Sequence, residues 1–240
     1  MKLFKLIRSE ASSADYNMKL DEEIFKQYLD DGIGVLRIYR WKGPSLTYGF
    51  SQDPEKEIDL VRCAADGVVV APRMTGGGIL FHDDEITYSF VCSKSDVAEP
   101  EGVLVSYRNI CSFLVQFYKS LGLNPAFALQ DANFKDRSTP HELCSASYEK
   151  YDIVIGGKKI GGNAQKRKRQ VIFQHGSIPC SINWNFVRRY LKSLPVDISA
   201  QVTTLSDELK VVPEKNILEE KLIEAFINSF NVQFYETCLA

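Results

Sequence analysis

The chain has 240 residues, of which 45% are hydrophobic and 25% charged, so it resembles an ordinary globular protein able to bury one core. Lysine and arginine total 29 against 31 acids, a net charge of -2 that disfavours binding nucleic acid mainly through phosphates. No apolar run approaches the roughly 20 residues that cross a bilayer, and the N-terminus lacks a signal-peptide pattern. The six cysteines include no CxxC pair. We therefore expect a cytoplasmic protein with reduced thiols and with neither nucleic acid nor membrane as a partner.

Periodic hydrophobic patterns predict both helices and strands along the chain. Apolar residues recur every four positions between Asp15 and Asp30, which predicts an amphipathic helix; they are Tyr16, Leu20, Ile24 and Tyr28. The elements that follow are strands from Gly34, Val68 and Ile86, a helix over 103–121, a strand from Val171, and helices over 183–194 and 214–230. The last helix is expected to present one apolar face made of Ile217, Leu218, Leu222, Ala225, Phe226 and Phe230. This mixture predicts an α/β (α+β) fold in which helices flank a mixed β-sheet.

A long polar loop and a tight hairpin follow the helix over 103–121. Residues 130–149 are polar and irregular, and a loop of this length tends to be functional. Gly156-Gly157 predicts a hairpin turn, because such turns need positive φ. Cys144 lies in the polar loop, and exposure near the basic hairpin would favour its nucleophilic thiolate. The alternative is an unreactive loop thiol.

The segment PRMTGGGILFHDDEITYSF, residues 72–90, is the densest cluster of chemically useful residues. Three consecutive glycines expose backbone N–H groups to an anion or a thin acyl chain, where any Cβ would collide. Arg73 and His82 flank them. The segment fits neither the phosphate-binding GxxxxGK[ST] loop nor a dinucleotide GxGxxG. A flexible turn is the alternative interpretation.

The segment YDIVIGGKKIGGNAQKRKRQVIFQHGSIP, residues 151–179, is the second candidate. Lys159 precedes Gly161-Gly162, so its ammonium is expected near bare backbone, an arrangement suited to a carboxylate or phosphoryl oxygen. His175 sits on a predicted strand, where a single histidine is more often structural than catalytic. Residues 153–196 hold nine basic residues and no acid. They form either a solvated face or a surface for a phosphate-bearing ligand or acidic protein.

Five segments together resemble the lipoate-protein ligase and octanoyltransferase family, in order and in spacing, from about residue 14 to residue 230. The segments are NMKLDEEIF, LRIYRWKGPSLTYGFSQ, PRMTGGGILFHDDEITYSF, KKIGGNAQKR and QHGSI. The resemblance implies a catalytic domain like that of biotin and lipoate protein ligases, distantly related to class II aminoacyl-tRNA synthetases. It also implies an activity that attaches a lipoyl or octanoyl group to one lysine of a lipoyl-carrier domain. We expect residues 1–240 to form a single such domain, without a separate C-terminal lid domain.

The resemblance assigns roles to individual residues. Lys159 matches the lysine that contacts the activated carboxyl group, and Cys144 is the nucleophile only if the chain is a transferase. Asn163 stands where serine is commoner in the family, and Pro72 stands where the family usually has a second arginine. The residues expected to bind the acyl group or acyl-adenylate are Arg73, Thr75, Gly76, Gly77, Gly78, His82, Asp152, Gly162, Asn163, Ala164 and His175. Neither a general base nor a metal ligand is assigned.

Two activities of the family fit the sequence. The uninterrupted Gly76-Gly77-Gly78 and Asp152 resemble the ligases, whereas Cys144, seven residues before Tyr151, resembles the octanoyltransferases. We predict an ATP-dependent lipoate-protein ligase that works through lipoyl-adenylate and uses ATP, Mg²⁺ and lipoate. The alternative is a cysteine-dependent octanoyltransferase that takes octanoate from acyl carrier protein through a Cys144 thioester and needs no cofactor. A biotin protein ligase and a non-catalytic acyl-binding relative are lesser alternatives.

The implied partners are the lipoyl domains of 2-oxoacid dehydrogenase complexes and the glycine cleavage H protein. Acyl carrier protein or an accessory ligase chain are further candidates. The basic stretch predicts a docking surface for an acidic carrier, which charge reversal at Arg167 and Arg169 would weaken in a salt-dependent manner.

Overall fold

The structure is a computed structural model that describes residues 1–97, 103–131, 152–193 and 198–236. Its strands are β1 (Lys2–Arg8), β2 (Gly34–Tyr39), β3 (Ser45–Tyr48), β4 (Val69–Pro72), β5 (Leu80–His82), β6 (Glu85–Ser93), β7 (Pro125–Phe127), β8 (Ile153–Ile155), β9 (Lys158–Ile160), β10 (Gly162–Lys168), β11 (Val171–Pro179), β12 (Val202–Thr203) and β13 (Val232–Glu236). Its helices are α1 (Ala14–Asp31), α2 (Pro54–Glu57), α3 (Leu60–Asp66), α4 (Lys94–Val97), α5 (Val103–Ser120), α6 (Trp184–Tyr190), α7 (Ile198–Gln201), α8 (Leu205–Glu208) and α9 (Lys215–Phe230). Across these ranges no helix is both long and apolar enough to span a membrane.

A six-stranded mixed sheet organises the molecule, in the order β10-β11-β6-β2-β1-β13. The β10, β11, β6 and β2 strands pair antiparallel in succession, and β1 pairs parallel with both β2 and β13. Two smaller sheets, β12-β9-β8-β7 and β4-β3-β5, complete the architecture. The predicted α/β (α+β) class with a mixed sheet is confirmed.

Helices cover both faces of the six-stranded sheet, because side chains alternate between faces along each strand. On one face, α5 and α9 pack against β6 through an aromatic cluster in which the Phe90 and Phe226 ring centroids are 5.4 Å apart. On the other face, α1 places Phe25 against Phe173 of β11. A separate core lies between the β4-β3-β5 sheet and the short helices α3 and α6. Burial of these apolar side chains is the main stabilising contribution.

The α1 helix forms where predicted, and Ile24 and Tyr28 of its predicted apolar face are buried, but the buried face also includes polar residues. Tyr16 is 51% exposed, whereas Asn17 and Asp21 are buried at 0% and 1%. Burying polar groups is tolerated only when they are hydrogen-bonded. Arg37 of β2 satisfies both, because its guanidinium donates to the Asp21 carboxylate at 2.8 Å and to Asn17 Oδ1 at 2.6 Å.

Most other predicted elements are confirmed, with three corrections. The hairpin forms as β8 and β9, with φ of 57° at Gly156 and 79° at Gly157. The helix predicted over 183–194 is wrong in length, since it covers only Trp184–Tyr190. Ile217 is 45% exposed and so does not belong to the apolar face of α9. The third correction concerns strands without apolar alternation, such as β10, which the hydrophobic pattern missed. Beyond Asp131, the predicted polar loop lies outside the described residues.

Candidate functional site

Two adjoining pockets form one groove between the six-stranded sheet and the β4-β3-β5 sheet. The empty space in the two pockets, which is open to solvent, is about 540 and 330 Å³, and both pockets are lined by Leu80, Gly162 and Ser177. The larger, the Trp184 pocket, is lined chiefly by apolar side chains, among them Phe81, Ile182, Trp184, Val187 and Val202. The smaller, the His175 pocket, adds polar side chains to an apolar lining of Met18, Tyr39 and Trp41. A concave apolar lining with a few convergent polar side chains is typical of a small-molecule site.

The glycine loop between β4 and β5 borders the groove and is held by Arg73. The buried guanidinium donates from Nη1 to Thr47 Oγ1 at 2.8 Å and from Nη2 to the Gly78 carbonyl at 2.6 Å. A Cβ at Gly49 would collide with the carbonyl oxygen of Gly77. The segment that contains Gly49 therefore packs directly against the backbone of the glycine loop, with no room for a side chain between them. Arg73 thus stabilises the loop by donating to the loop's backbone carbonyl groups, and it also lines the His175 pocket.

His82 lines the same pocket and is fixed on three sides. Its Nδ1 lies 2.9 Å from Glu85 Oε1, its Nε2 lies 2.7 Å from Thr47 Oγ1, and its ring stacks on Trp41 with centroids 3.9 Å apart. Burial alone would raise the pKa of Glu85, but His82 and hydrogen bonds from Thr87 and other groups hold it below its ordinary value. Glu85 is therefore a buried carboxylate that lines the groove and holds the neighbouring polar side chains in place.

His175 connects the glycine loop to α1. Its Nε2 lies 2.7 Å from Thr75 Oγ1, and its Nδ1 lies 3.6 Å from Asp21 Oδ2. Burial lowers the pKa of His175 although Asp21 opposes the shift, so the ring is neutral at pH 7. With Nδ1–H facing the carboxylate, Nε2 accepts the Thr75 hydroxyl. Burial would raise the pKa of Asp21, but the Arg37 guanidinium and hydrogen bonds keep it lowered.

Lys159 and Asp152 form a buried ion pair in the β12-β9-β8-β7 sheet. Their Nζ and Oδ2 atoms are 2.8 Å apart, and both side chains are buried. Lys159 pairs in register with Val202, which lines the Trp184 pocket, but Lys159 itself is not among the described lining residues. The structure therefore places it beside the groove, and its contact with an acyl carboxyl group stays a prediction.

The start of β10 supplies the remaining predicted residues. Gly162, Asn163 and Ala164 all line the His175 pocket, and Asn163 Oδ1 accepts a hydrogen bond from the Tyr88 hydroxyl at 2.7 Å. The start of β10 thus meets Arg73, His82 and His175 around one pocket, whereas Thr75 and residues 76–78 are not among its described lining residues.

The described cysteines are all buried and unsuited to nucleophilic attack. Burial raises the pKa of Cys63 and of Cys180 to about 11, and that of Cys111 to about 12. Burial also raises the pKa of Cys92, so each stays a thiol at neutral pH. Cys144, the predicted nucleophile, lies outside the described residues, as does Cys238.

The basic residues of 153–196 do not share one face. Lys159 is buried against Asp152, Arg189 of α6 pairs with Asp66 of α3, and Arg167 turns inward to Gln165. Lys168 and Arg169 are exposed at the end of β10 and remain available to a partner.

Several residues of the site were not assigned from sequence. Trp41 and Glu85 both lie in segments that resemble the family, but the sequence predicts no role for either residue. The burial of Asp21 could have been predicted from sequence, because its helical spacing puts it on the same face of α1 as the apolar residues Ile24 and Tyr28. Its partner Arg37 gives none, since only the fold brings the two together.

Residues 13–231 match the family described as the lipoyl protein ligase A/B catalytic domain, and the chain belongs to this family. Among curated relatives, octanoyltransferase LipM of Kyrpidia tusciae is 37% identical over 181 residues, covering 74% of this chain and 66% of that protein. That alignment therefore spans just under two thirds of the relative. Octanoyltransferase LipM of Moorella thermoacetica is 30% identical over 240 residues, covering 96% of this chain and 88% of the relative.

Solved structures with the same fold confirm the predicted architecture. A lipoate-protein ligase A bound with ATP is 24% identical with a TM-score of 0.78, covering 100% of this chain and 90% of that one. A bipartite lipoate protein ligase from Thermoplasma acidophilum, described with its E2 lipoyl domain, is 22% identical with a TM-score of 0.77 and covers 100% and 88%.

Proposed function

We propose that the protein transfers an octanoyl group to a lysine of a lipoyl-carrier domain, in the cytoplasm. The similarity of the chain to octanoyltransferases, at 37% identity for the Kyrpidia tusciae protein, carries the proposal. These relatives favour the cysteine-dependent alternative over the ATP-dependent ligase that the glycine loop and Asp152 suggested. The proposed enzyme therefore needs no cofactor.

The groove suits a straight saturated acyl chain. The apolar side chains of the Trp184 pocket surround it, and each CH₂ group moved there from water contributes about 0.8 kcal/mol. The polar groups of the His175 pocket bind mainly to one another, which limits competition from water for the acyl chain. Length and apolarity of the acyl group, rather than charge, therefore select the substrate.

The chemistry takes two balanced steps. The Cys144 thiolate attacks the thioester carbonyl of octanoyl-carrier protein, which forms an enzyme thioester and releases the carrier thiolate, which then takes a proton from solvent. The deprotonated amine of the acceptor lysine then attacks the enzyme thioester, which forms the amide and releases the Cys144 thiol. The inertness of the described cysteines supports this assignment to Cys144. Lys159 is the cation proposed to face the acyl carbonyl group.

An ATP-dependent ligase remains the second candidate because Gly76-Gly77-Gly78 is uninterrupted. In that case lipoate is the substrate, ATP and Mg²⁺ are required, and Arg73, Thr75 and the glycine loop would face the acyl-adenylate. The acceptors are shared by both activities, namely a lipoyl domain of a 2-oxoacid dehydrogenase complex or the glycine cleavage H protein.

Acylation of a purified lipoyl domain, followed by intact mass, separates the two activities. Octanoyl-acyl carrier protein is compared as donor with octanoate or lipoate plus ATP and Mg²⁺, using wild type, Cys144→Ala and the buried-thiol control Cys63→Ala. We expect ATP-independent transfer that Cys144→Ala abolishes and Cys63→Ala preserves, with an octanoyl adduct on the enzyme. ATP-dependent transfer that survives Cys144→Ala would establish the ligase instead.

A further inference from the structure

A continuous chain of side-chain hydrogen bonds runs from Arg167 on β10 to the groove. It passes through Gln165, Gln174 and Tyr88 and ends on Asn163. The bonds are Arg167 Nη2 to Gln165 Oε1 at 2.7 Å, Gln165 Nε2 to Gln174 Oε1 at 2.6 Å, Gln174 Nε2 to Tyr88 Oη at 2.6 Å, and Tyr88 Oη to Asn163 Oδ1 at 2.7 Å. We call these five residues the relay. Every link is short, so the relay is well formed.

Arg167 sets the direction of every bond in the relay. A guanidinium only donates, so Gln165 must turn its oxygen toward Arg167 and its amide nitrogen toward Gln174. The same reasoning makes Gln174 donate to the Tyr88 oxygen. The Tyr88 hydroxyl proton then goes to Asn163, which must present Oδ1 rather than Nδ2. One surface-proximal cation thereby fixes the orientation of an amide in the groove.

The Nδ2 group of Asn163 is left with two N–H donors and no acceptor among the described residues. In the His175 pocket, the terminal atoms of the other polar side chains are already bonded to protein. His82 bonds to Glu85 and Thr47, His175 faces Thr75 and Asp21, and Arg73, Trp41, Tyr39, Thr87 and Ser177 are similarly engaged. Asn163 thus offers a ligand an unused donor in this pocket.

Gly176 shows how closely this end of the relay is fitted. It lies opposite Asn163 in the β10–β11 pairing, and a Cβ at this position would collide with Asn163 Oδ1 and with the Tyr88 ring. Only a residue without a side chain leaves room for the Tyr88–Asn163 bond. The Asn163 amide is therefore positioned before any ligand binds, as electrostatic catalysis requires.

We propose that Asn163 Nδ2 donates a hydrogen bond to the carbonyl oxygen of the bound acyl group, and that Arg167 is a positioning residue that orients this donor through the relay. When the nucleophile attacks the carbonyl carbon, the electron pair of the C=O bond moves to oxygen, and the N–H group stabilises that oxyanion. This electron pair re-forms the C=O bond as the leaving group departs with the electrons of its own bond to carbon. Bonds that polarise one another in sequence strengthen the terminal donor. The inference rests on the proposed acyl transfer, and it applies equally to a thioester and to an acyl-adenylate.

Steady-state kinetics of acyl transfer test the donor. Asn163→Asp keeps the shape and the acceptor for Tyr88 but replaces the NH₂ group with oxygen. We expect kcat to fall about 100- to 1,000-fold, as for loss of one oxyanion donor. KM for the acyl donor should change less than about threefold, because the interaction strengthens only in the transition state. A kcat within about threefold of wild type would overturn the proposal.

The relay is tested at its far end, where no substrate contact is involved. In Arg167→Gln the side chain can accept hydrogen bonds as well as donate them, so the bonds of the relay no longer have a fixed donor-to-acceptor direction. In Arg167→Lys the side chain still only donates. We expect a lower kcat for Arg167→Gln, recovery in Arg167→Lys, and no change for the control Arg108→Gln, an exposed arginine on α5. The double variant Asn163→Asp/Arg167→Gln should be no slower than Asn163→Asp alone, because both changes remove the same interaction. Additive losses would overturn the relay.

Infrared spectroscopy supplies a readout independent of turnover. An inert octanoyl methyl ketone, ¹³C-labelled at its carbonyl, should show a lowered carbonyl frequency in wild type that is lost in Asn163→Asp, with melting temperatures confirming the fold. An unshifted carbonyl in wild type would refute the contact. A wild type that transfers acyl groups while Asn163→Asp is unaffected refutes only this inference. A wild type inactive with every acyl donor refutes the proposed function instead.

Discussion

Replacing Arg37 with methionine tests the buried polar cluster that joins α1 to the six-stranded sheet. Arg37 is 0% exposed, and it donates to Asp21 at 2.8 Å and to Ser9 Oγ at 3.0 Å. Methionine fills much of the same space but leaves the Asp21 carboxylate buried without its counter-ion. Breaking a buried pair in this way costs about 3 to 5 kcal/mol. A chain of this size loses about 2 to 4 °C per kcal/mol, so we expect Tm to fall by about 6 to 20 °C.

A double-mutant cycle in thermal and urea unfolding isolates the pair from its surroundings. Wild type, Arg37→Met, Asp21→Asn and the double variant are compared at pH 7. The double variant should be less destabilised than the sum of the single changes, because a neutral side chain at 21 no longer needs a cation. A Tm for Arg37→Met within about 2 °C of wild type would show that the cluster contributes little to stability, and strict additivity would show that Arg37 and Asp21 do not stabilise each other.

Three further predictions follow from features of the groove. Gly49→Ala places a Cβ against the Gly77 carbonyl and should lower stability by about 1 to 3 kcal/mol and raise KM for the acyl donor; unchanged unfolding and KM would contradict the close approach. Because the pKa of His175 is lowered by folding, its contribution to stability is present above the unfolded pKa of about 6.5 and is lost as pH falls toward the folded pKa. The stability difference between wild type and His175→Gln, followed by urea unfolding, should therefore narrow below that pH, and a constant difference would refute the assignment. Charge reversal at exposed Lys168 and Arg169 should lower kcat/KM for the acceptor domain and flatten its salt dependence, whereas unaltered salt profiles would exclude this end of β10 as a docking surface.

Elements with a one-sided apolar pattern were predictable from sequence, and elements shaped by tertiary contacts were not. The α5 helix forms where its hydrophobic period placed it, because that face packs on the sheet. The β10 strand reads GNAQKRK and carries no such pattern, since its first residues line the groove and its last residues meet solvent. Edge strands of this kind are specified by their partner, here β11, rather than by their own composition.

The residue types of the site were more predictable than the hydrogen bonds and ion pairs that connect them. The glycine run and the flanking histidine predicted a close approach of backbone and ligand, and His82 does line the groove, whereas the three glycines are not among its described lining residues. Sequence spacing gives no indication that Asp21 faces His175 across 154 positions of the chain, or that Arg167 orients Asn163 through β11 and β6. Such contacts depend on strand register, which only the folded sheet defines.

The parallel pairing of β1 with β13 joins Lys2 to Val232 in register. During synthesis, β1 leaves the ribosome well before β13, because Lys2 and Val232 are 230 positions apart in the chain. Contacts between residues so far apart in sequence form late and slow folding, because a long loop must close before they contribute. Until then β1 has only β2 to pair with, and its other edge is exposed. Pairing of β13 with β1 therefore covers a strand edge that would otherwise be open to pairing with another chain.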